Sequence, residues 1–297
     1  MGSYVADELS ERGYEVIVFD RHESPYISKG QKMVVGDILD SEKVAECIKG
    51  ADYVFSFAGI AGIDYARNNP VATIRTNILG TTLIAEACTL HQVKRFIFAS
   101  TVYVYSDMAP FYRSSKQACE LIIEDYQITY GLNYTILRYG SLYGRRANNF
   151  NYIYSIIQQA IEEGKIVRKG DGEEIRDYIH VKDAARCSVD IVSEEFKNQY
   201  VIITGNQTIK VRDFLSMIQE MFHGDISVEY LPESEPGHYE ITPYSFRPKV
   251  ARRLIADSYY DLGQGILDII YEVYSKSGKD AKNISYIKKL IEREDHS

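Results

Sequence analysis

The feature that most constrains this chain is a rhythm in which short apolar runs alternate with segments of helical patterning. Val16-Ile17-Val18-Phe19 closes on Asp20, Lys32 to Gly36 is followed by Asp37, and Tyr53 to Phe57 is a third run. Arg95 to Ser100 and Tyr134 to Arg138 complete the series. Between them the spacing predicts helices over 2–11, from a Ser41 cap to Lys49, from Pro70 to His91, and from Phe111 to Tyr130. Runs this short, joined through helices, indicate parallel strands buried on both faces, because parallel neighbours need a crossover. The expected fold class is α/β, a doubly wound parallel sheet.

After Gly144 the rhythm loosens. Helices are expected over 152–163, 182–192 and 211–221, and strands over 200–203 and 226–230, followed by a proline-bearing stretch and C-terminal helices. The 297 residues suit one large α/β domain with a smaller appendage. The expected division is a sheet domain over 1–144 and 181–205 and a smaller mixed α/β lobe over 145–180 and 206–297.

The formal net charge of −8 would repel a phosphate backbone, so nucleic acid is not an expected partner. A local cluster of arginines around a compact diphosphate remains compatible with that average. The four cysteines have no C-x-x-C spacing, which points to a reduced, cytoplasmic protein without a structural zinc site. No apolar run approaches the ~18 residues that span a bilayer, so no membrane partner is expected.

Tyr112-Arg-Ser-Ser-Lys116 sets a phenol and an ammonium four residues apart on one helix face. A phenol titrating near ~10 needs a nearby positive charge to act as a base at neutral pH, and Lys116 is placed to supply it. Tyr178-Ile-His-Val-Lys182 repeats the spacing, so context must separate the two. Tyr112 follows Phe96 to Thr101, an apolar run ending in two hydroxyls, and then Val104-Tyr105-Ser106. Asp20 and Asp37-Ile38 close two earlier runs, and Phe57-Ala58-Gly59 forms a small-residue turn. Further on come Leu137 to Gly144, then Gly170-Asp171-Gly172, then Arg176-Asp177-Tyr178-Ile179-His180-Val181 with Asp183.

In this order the residues resemble the extended short-chain dehydrogenase/reductase family, of the NAD-dependent nucleotide-sugar epimerase/dehydratase type. The resemblance is good over residues 2–205 and loose beyond. It implies a Rossmann-like domain that binds NAD, with a C-terminal substrate lobe. It further implies Tyr112, Lys116 and Thr101 as catalytic residues. Cofactor contacts would come from Gly2, Asp20, Arg21, Asp37, Ile38, Phe57, Ala58, Gly59, Asn77, Ser100 and Tyr139 as well as Tyr112 and Lys116. A nucleotide-diphosphate sugar would be held by Thr101, Ser141, Arg176, Tyr178 and Arg247, and Asp177 and His180 would fix their loop. Asp20 favours NAD, since its carboxylate accepts from ribose hydroxyls and repels a 2′-phosphate; a turn or cap aspartate is the other reading. No metal is implied. A homodimer through a four-helix bundle would use the helices over 70–91 and 111–130.

Several positions depart from the family pattern. Met1-Gly2-Ser3 matches the third glycine of the Gly-rich turn, so the pattern places a first strand and two glycines before Met1 and, without them, leaves two strands lacking a common neighbour. Ser141 stands in place of an asparagine. The connection from Thr101 to Tyr112 is cut short. Dehydratases of the family carry Asp-Glu directly after the active-site threonine, whereas Val102-Tyr103 stand here. That favours C4 epimerisation of a UDP- or dTDP-hexose. A nucleotide-keto-sugar reductase or dehydrogenase and a non-catalytic Rossmann-like binding protein are the alternatives.

Overall fold

The computed structural model describes residues 1–232, 252–254 and 258–277. In chain order the elements are α1 (Gly2–Glu11), β1 (Ile17–Asp20), β2 (Lys32–Val35), α2 (Ser41–Ile48), β3 (Tyr53–Ser56), α3 (Ile63–Asn68) and α4 (Pro70–Ile74). A π-helical turn, Arg75–Leu79, joins α4 to α5 (Gly80–Leu90), followed by β4 (Arg95–Thr101) and a 3₁₀ turn, Val102–Tyr105. Then come α6 (Tyr112–Tyr130), β5 (Tyr134–Tyr139), β6 (Ser141–Tyr143), α7 (Tyr152–Glu163), β7 (Lys165–Lys169), β8 (Ile175–His180) and α8 (Val181–Asp190). The described remainder is β9 (Gln199–Ile203), β10 (Thr208–Lys210), α9 (Val211–Met221), β11 (Ser227–Leu231), β12 (Arg252–Leu254) and α10 (Leu262–Ser277). Arg247 lies outside the described residues.

The chain divides into two compact units, one of residues 1–140, 183–204 and 243–256, the other of 141–182, 205–242 and 257–297. In the first, five parallel strands run in the order β12-β9-β5-β4-β3, giving the expected Rossmann-like α/β sheet. Its centre carries Phe96, Phe98, Ile136 and Leu137, all fully buried, each removal from water being worth roughly 1.5–3 kcal/mol.

β1 and β2 form a separate parallel pair. Among the described residues no strand joins β1 to β3, yet both strands share the same covers. Phe19 of β1 and Val54 of β3 pack on one cluster that includes Val44, Ile48, Ile84, Cys88 and Ile123. Phe55 and Phe57, at β3, pack instead against Val5 and Leu9 of α1. Burial falls off accordingly, from every residue of β5 to a β1 whose Ile17 is 49% exposed.

The predicted helix from Pro70 to His91 is helical over nearly that span but contains the π turn, a single wider coil that the apolar period does not announce. The second unit holds a three-stranded sheet, β10-β8-β6, and a parallel pair, β11-β7. Its core joins α7, α9 and α10 through Ile157, Phe214, Leu215, Ile218, Ile266 and Ile269.

Candidate active site

β4 ends on Thr101, which caps the following 3₁₀ turn by accepting from the Tyr103 amide at 3.2 Å. Six residues then return the chain to α6, and two of them take left-handed backbone without being glycine: Ala109 (φ 54°) and Phe111 (φ 62°). Such conformations are uncommon for side-chain-bearing residues. Arg113 braces the turn by donating to the Ser106 carbonyl at 3.0 Å.

Three α6 residues at successive turns then meet three consecutive residues of β4. The Tyr112 phenol comes near enough to the Thr101 side chain for that group to oppose the effect of burial on it. Lys116 Nζ donates to the Ala99 carbonyl at 2.8 Å, 4.6 Å from the centre of the Phe98 ring. Ser100 Oγ donates to Glu120 Oε1 at 2.5 Å. Spacings of four keep all three α6 side chains on one helix face, so α6 is locked to the strand end in one register.

Burial pushes the Tyr112 phenol up, and the Thr101 side chain pulls the other way. The sequence expectation gave that lowering to Lys116 together with the nicotinamide cation; in the structure the Lys116 ammonium donates to the Ala99 carbonyl, and Thr101 is the group that opposes burial at the phenol. Burial pushes the Lys116 ammonium down, while Cys119 and Glu120 favour its charged form.

Asn77 sits inside the π turn and is buried. Its Oδ1 accepts from the Ile60 amide at 2.7 Å, and its Nδ2 donates to the Ile60 carbonyl at 3.0 Å and to Ser115 Oγ at 2.9 Å. Ser115 Oγ donates in turn to the Tyr112 carbonyl at 2.8 Å. Gly59 adopts φ +154°, and a Cβ there would stand 2.9 Å from Asn77 Oδ1 and 3.9 Å from Lys116 Nζ. Only glycine suits a turn that passes this close to the Asn77 carboxamide.

The remaining expected cofactor residues belong to the first unit as well. Gly2 opens α1, where an added Cβ would meet Phe57 at an ordinary 3.7 Å. Asp20 closes β1, its Oδ1 accepting from the His22 amide at 3.1 Å, with Arg21 exposed beside it. Asp37 accepts from the Leu39 amide at 2.9 Å, and Ile38 is buried over Gly80. Phe57 lies 6.2 Å from the Tyr139 ring, and the Tyr139 hydroxyl pairs with Ser188 at 2.6 Å. Ala58 packs beside the apolar cluster under β3 and β4.

Of the expected substrate residues, Thr101 is in the first unit and three are in the second. Ser141 and Tyr178 are register partners across β6 and β8, and the Tyr178 ring packs 4.8 Å from Phe214. Arg176 is buried on β8 opposite Ile209. His180 stacks on Tyr260 at 4.0 Å. Sequence reasoning missed Glu120, Arg138 and Ser115. The continuation of the four-residue spacing from Lys116 to Glu120, and a lone arginine inside the apolar run Tyr134 to Tyr139, were the signals available.

Among the described residues no group of three or more His, Cys, Asp or Glu side chains could hold a metal, and no helix is long and apolar enough to cross a membrane.

A parallel α/β sheet whose strand end offers a hydroxyl to a tyrosine one turn from a lysine defines the short-chain dehydrogenase/reductase class of dinucleotide proteins. The model of the NAD dependent epimerase/dehydratase family matches residues 1–203, and the chain belongs to that family, whose cofactor is NAD. It is similar to the UDP-N-acetyl-alpha-D-glucosaminuronate decarboxylase of Bacillus cytotoxicus, 27% identical over 258 residues that cover 78% of this chain and 80% of the relative. It is equally similar, 27% over 242 residues covering 74% and 78%, to a putative UDP-glucose 4-epimerase of Methanocaldococcus jannaschii. The UDP-glucose 4-epimerase of Thermotoga maritima, solved with UDP-glucose, superposes with a TM-score of 0.78 at 25% identity, covering 94% of this chain and 96% of that one.

Proposed function

We propose that this protein is an NAD-dependent nucleotide-sugar epimerase that inverts C4 of a UDP- or dTDP-hexose through a transient keto sugar. The observation that carries the reading is the placing of Tyr112 and Lys116 one helical turn apart against the end of β4, where Thr101 acts on the phenol and Lys116 holds the Ala99 carbonyl, with Val102 and Tyr103 where an eliminating enzyme needs carboxylates. Val102 is buried and apolar, and the Tyr103 ring stands edge-on to Tyr112 at 6.3 Å, so neither position supplies the carboxylate pair used for elimination.

The residues present suit NAD. The glycine backbone at Gly59 leaves the space beside Lys116 that a methyl group would fill, and Asp20 presents an exposed carboxylate at a strand end for a ribose diol. NAD, when bound, supplies the hydride acceptor and donor. Tyr112 takes the proton from the sugar hydroxyl and later returns it. Thr101 holds the reacting oxygen, and Lys116 hydrogen-bonds the nicotinamide ribose while keeping positive charge near the phenol. Arg176 and Arg247 are the residues we assign to the diphosphate, for which a planar multi-donor cation is suited, and Ser141 and Tyr178 to the sugar. On this reading residues 1–144 and 181–205 serve NAD, and 145–180 and 206–297 serve the substrate.

We further propose a cytoplasmic homodimer. Its support is the exposed apolar surface of the α4–α5 and α6 helices, with Val71 78%, Leu90 69% and Ile128 77% exposed, together with four cysteines that form no disulfide. Ile128→Glu would then shift the mass in sedimentation to that of the monomer; an unchanged mass would remove the bundle.

The function is tested by incubating the protein with NAD and UDP-glucose, UDP-glucuronate or dTDP-glucose, following C4 configuration by NMR and cofactor absorbance in parallel. Inversion without net NADH is expected. Stoichiometric NADH would make it a dehydrogenase, and absence of both binding and turnover would leave a non-catalytic Rossmann-like protein.

A further inference from the structure

Beneath the strand end lies a pair of opposite charges that the chemistry above does not use. Glu120 and Arg138 are each 5% exposed. The carboxylate accepts from Arg138 Nε at 3.0 Å and Nη2 at 2.7 Å, and from Ser100 Oγ at 2.5 Å. Arg138 Nη1 donates to the Tyr105 hydroxyl at 2.7 Å, and the guanidinium stands 4.8 Å from the Tyr105 ring and 4.3 Å from the Tyr200 ring.

We propose that the Glu120–Arg138 pair is a positioning element for Lys116, holding the Ala99–Thr101 strand end in register with α6 so that the ammonium stays on the Ala99 carbonyl. The proposal rests on the reading of Tyr112 and Lys116 as the proton-handling pair. The pair is polar in direction as well as in charge. Its carboxylate lies one turn beyond Lys116 on α6 and binds the residue between Ala99, which Lys116 holds, and Thr101, which Tyr112 meets. Its guanidinium is enclosed by two tyrosine rings. A buried ion pair contributes little net stability compared with apolar side chains of the same volume, so stability alone is a poor account of it. A carboxylate beside a buried ammonium favours the charged form, opposing desolvation, and Glu120 acts on Lys116 in that sense.

The titratable and charged neighbours can be named element by element. α6 contributes Cys119, Glu120 and Glu124, the last accepting from the Tyr200 hydroxyl. β5 contributes Arg138 and Tyr134, the 3₁₀ turn Tyr103 and Tyr105, and β9 Tyr200. The end of β4 meets Lys116 with the Ala99 carbonyl, and the Gly59 turn passes beside its ammonium.

The test is the titration of Lys116 in the full-length protein, read from its ε-carbon by NMR after isotopic labelling, with the pH profile of turnover beside it. Glu120→Gln leaves the Arg138 charge unbalanced, and the Lys116 midpoint should fall by about one pH unit, drawing the alkaline limb of kcat with it. Arg138→Gln should move the midpoint upward, the double variant should return it towards the original value, and Glu120→Asp should rescue most of the change. A role confined to packing would lower stability in both single variants without opposite shifts. Should Glu120→Gln not fold, Arg138→Gln carries the test alone. Midpoints that stay in place, or move the same way in both variants, overturn the proposal. Since the NMR midpoint needs no turnover, opposite shifts in a protein that turns over no nucleotide sugar would uphold the positioning role while rejecting the epimerase.

Discussion

Asn77 treats Ile60 as a neighbouring strand would, accepting from its amide at 2.7 Å and donating to its carbonyl at 3.0 Å. One side chain thereby satisfies both backbone groups of the residue after Gly59. The π turn lets it do so, by displacing one residue of an otherwise regular helix towards the loop. Asn77 reaches the catalytic helix through Ser115, so loop, π turn and α6 form one hydrogen-bonded assembly.

This linkage predicts the effect of Gly59→Ala. The new methyl stands 2.9 Å from Asn77 Oδ1, on a backbone at φ +154°, so either the loop or the carboxamide must move. NAD affinity should fall about tenfold or more by titration calorimetry, the equivalent of one good hydrogen bond. Asn77→Ala should cost about 1–3 kcal/mol in urea denaturation, because the Ile60 backbone groups lose their partner.

Tyr112→Phe removes only the hydroxyl beside Thr101. Turnover should drop by ~10²-fold or more, the usual worth of a positioned acid–base group. Stability should change by no more than about 0.5–1.5 kcal/mol in the same denaturation assay. A variant that keeps more than a tenth of wild-type activity would assign the base elsewhere.

Alkaline pH should unfold the protein through its buried weak acids. Burial pushes the Cys187 thiol up to about 12, and it pushes the Cys88 thiol and the Tyr139 and Tyr200 phenols upward as well. Folded-state values raised above the unfolded ones, ~8.5 for a thiol and ~10 for a phenol, give stability that is complete below the unfolded value and lost as pH climbs towards the folded one. Thermal midpoints by circular dichroism should hold steady to about pH 8 and decline above it. In Cys187→Ala the decline should start later.

The amides of β1 and β3 that face away from β2 and β4 have no strand partner among the described residues. Native-state hydrogen exchange should therefore be fast along these edges and slow in β4 and β5, whose ladders are complete on both sides. Equal protection across all four strands would show that the two edges are closed in solution.

The parallel sheet was legible because β4 and β5 are short, mainly apolar runs joined through a helix, the pattern of strands buried on both faces. β8 was not read as a strand, since Arg176, Asp177 and His180 are buried on it and hide it from any hydropathy pattern. Tyr112 and Lys116 could be paired from their spacing, because four residues make one helical turn wherever the helix lies. What Lys116 touches could not: Ala99 is 17 residues away in the chain, and Asn77 is 38 from Ser115.

The sequence by itself determined the alternation of helices and strands through β5 and the one face of α6 that carries Tyr112 and Lys116, since these depend on local periodicity. Only the tertiary structure decided that Thr101 meets the phenol, that Ala99 takes the lysine and that Arg138 closes on Glu120. Those contacts arise when α6 packs across β4 and β5, and in a low-dielectric interior each buried polar group must take whichever partner that packing brings within reach.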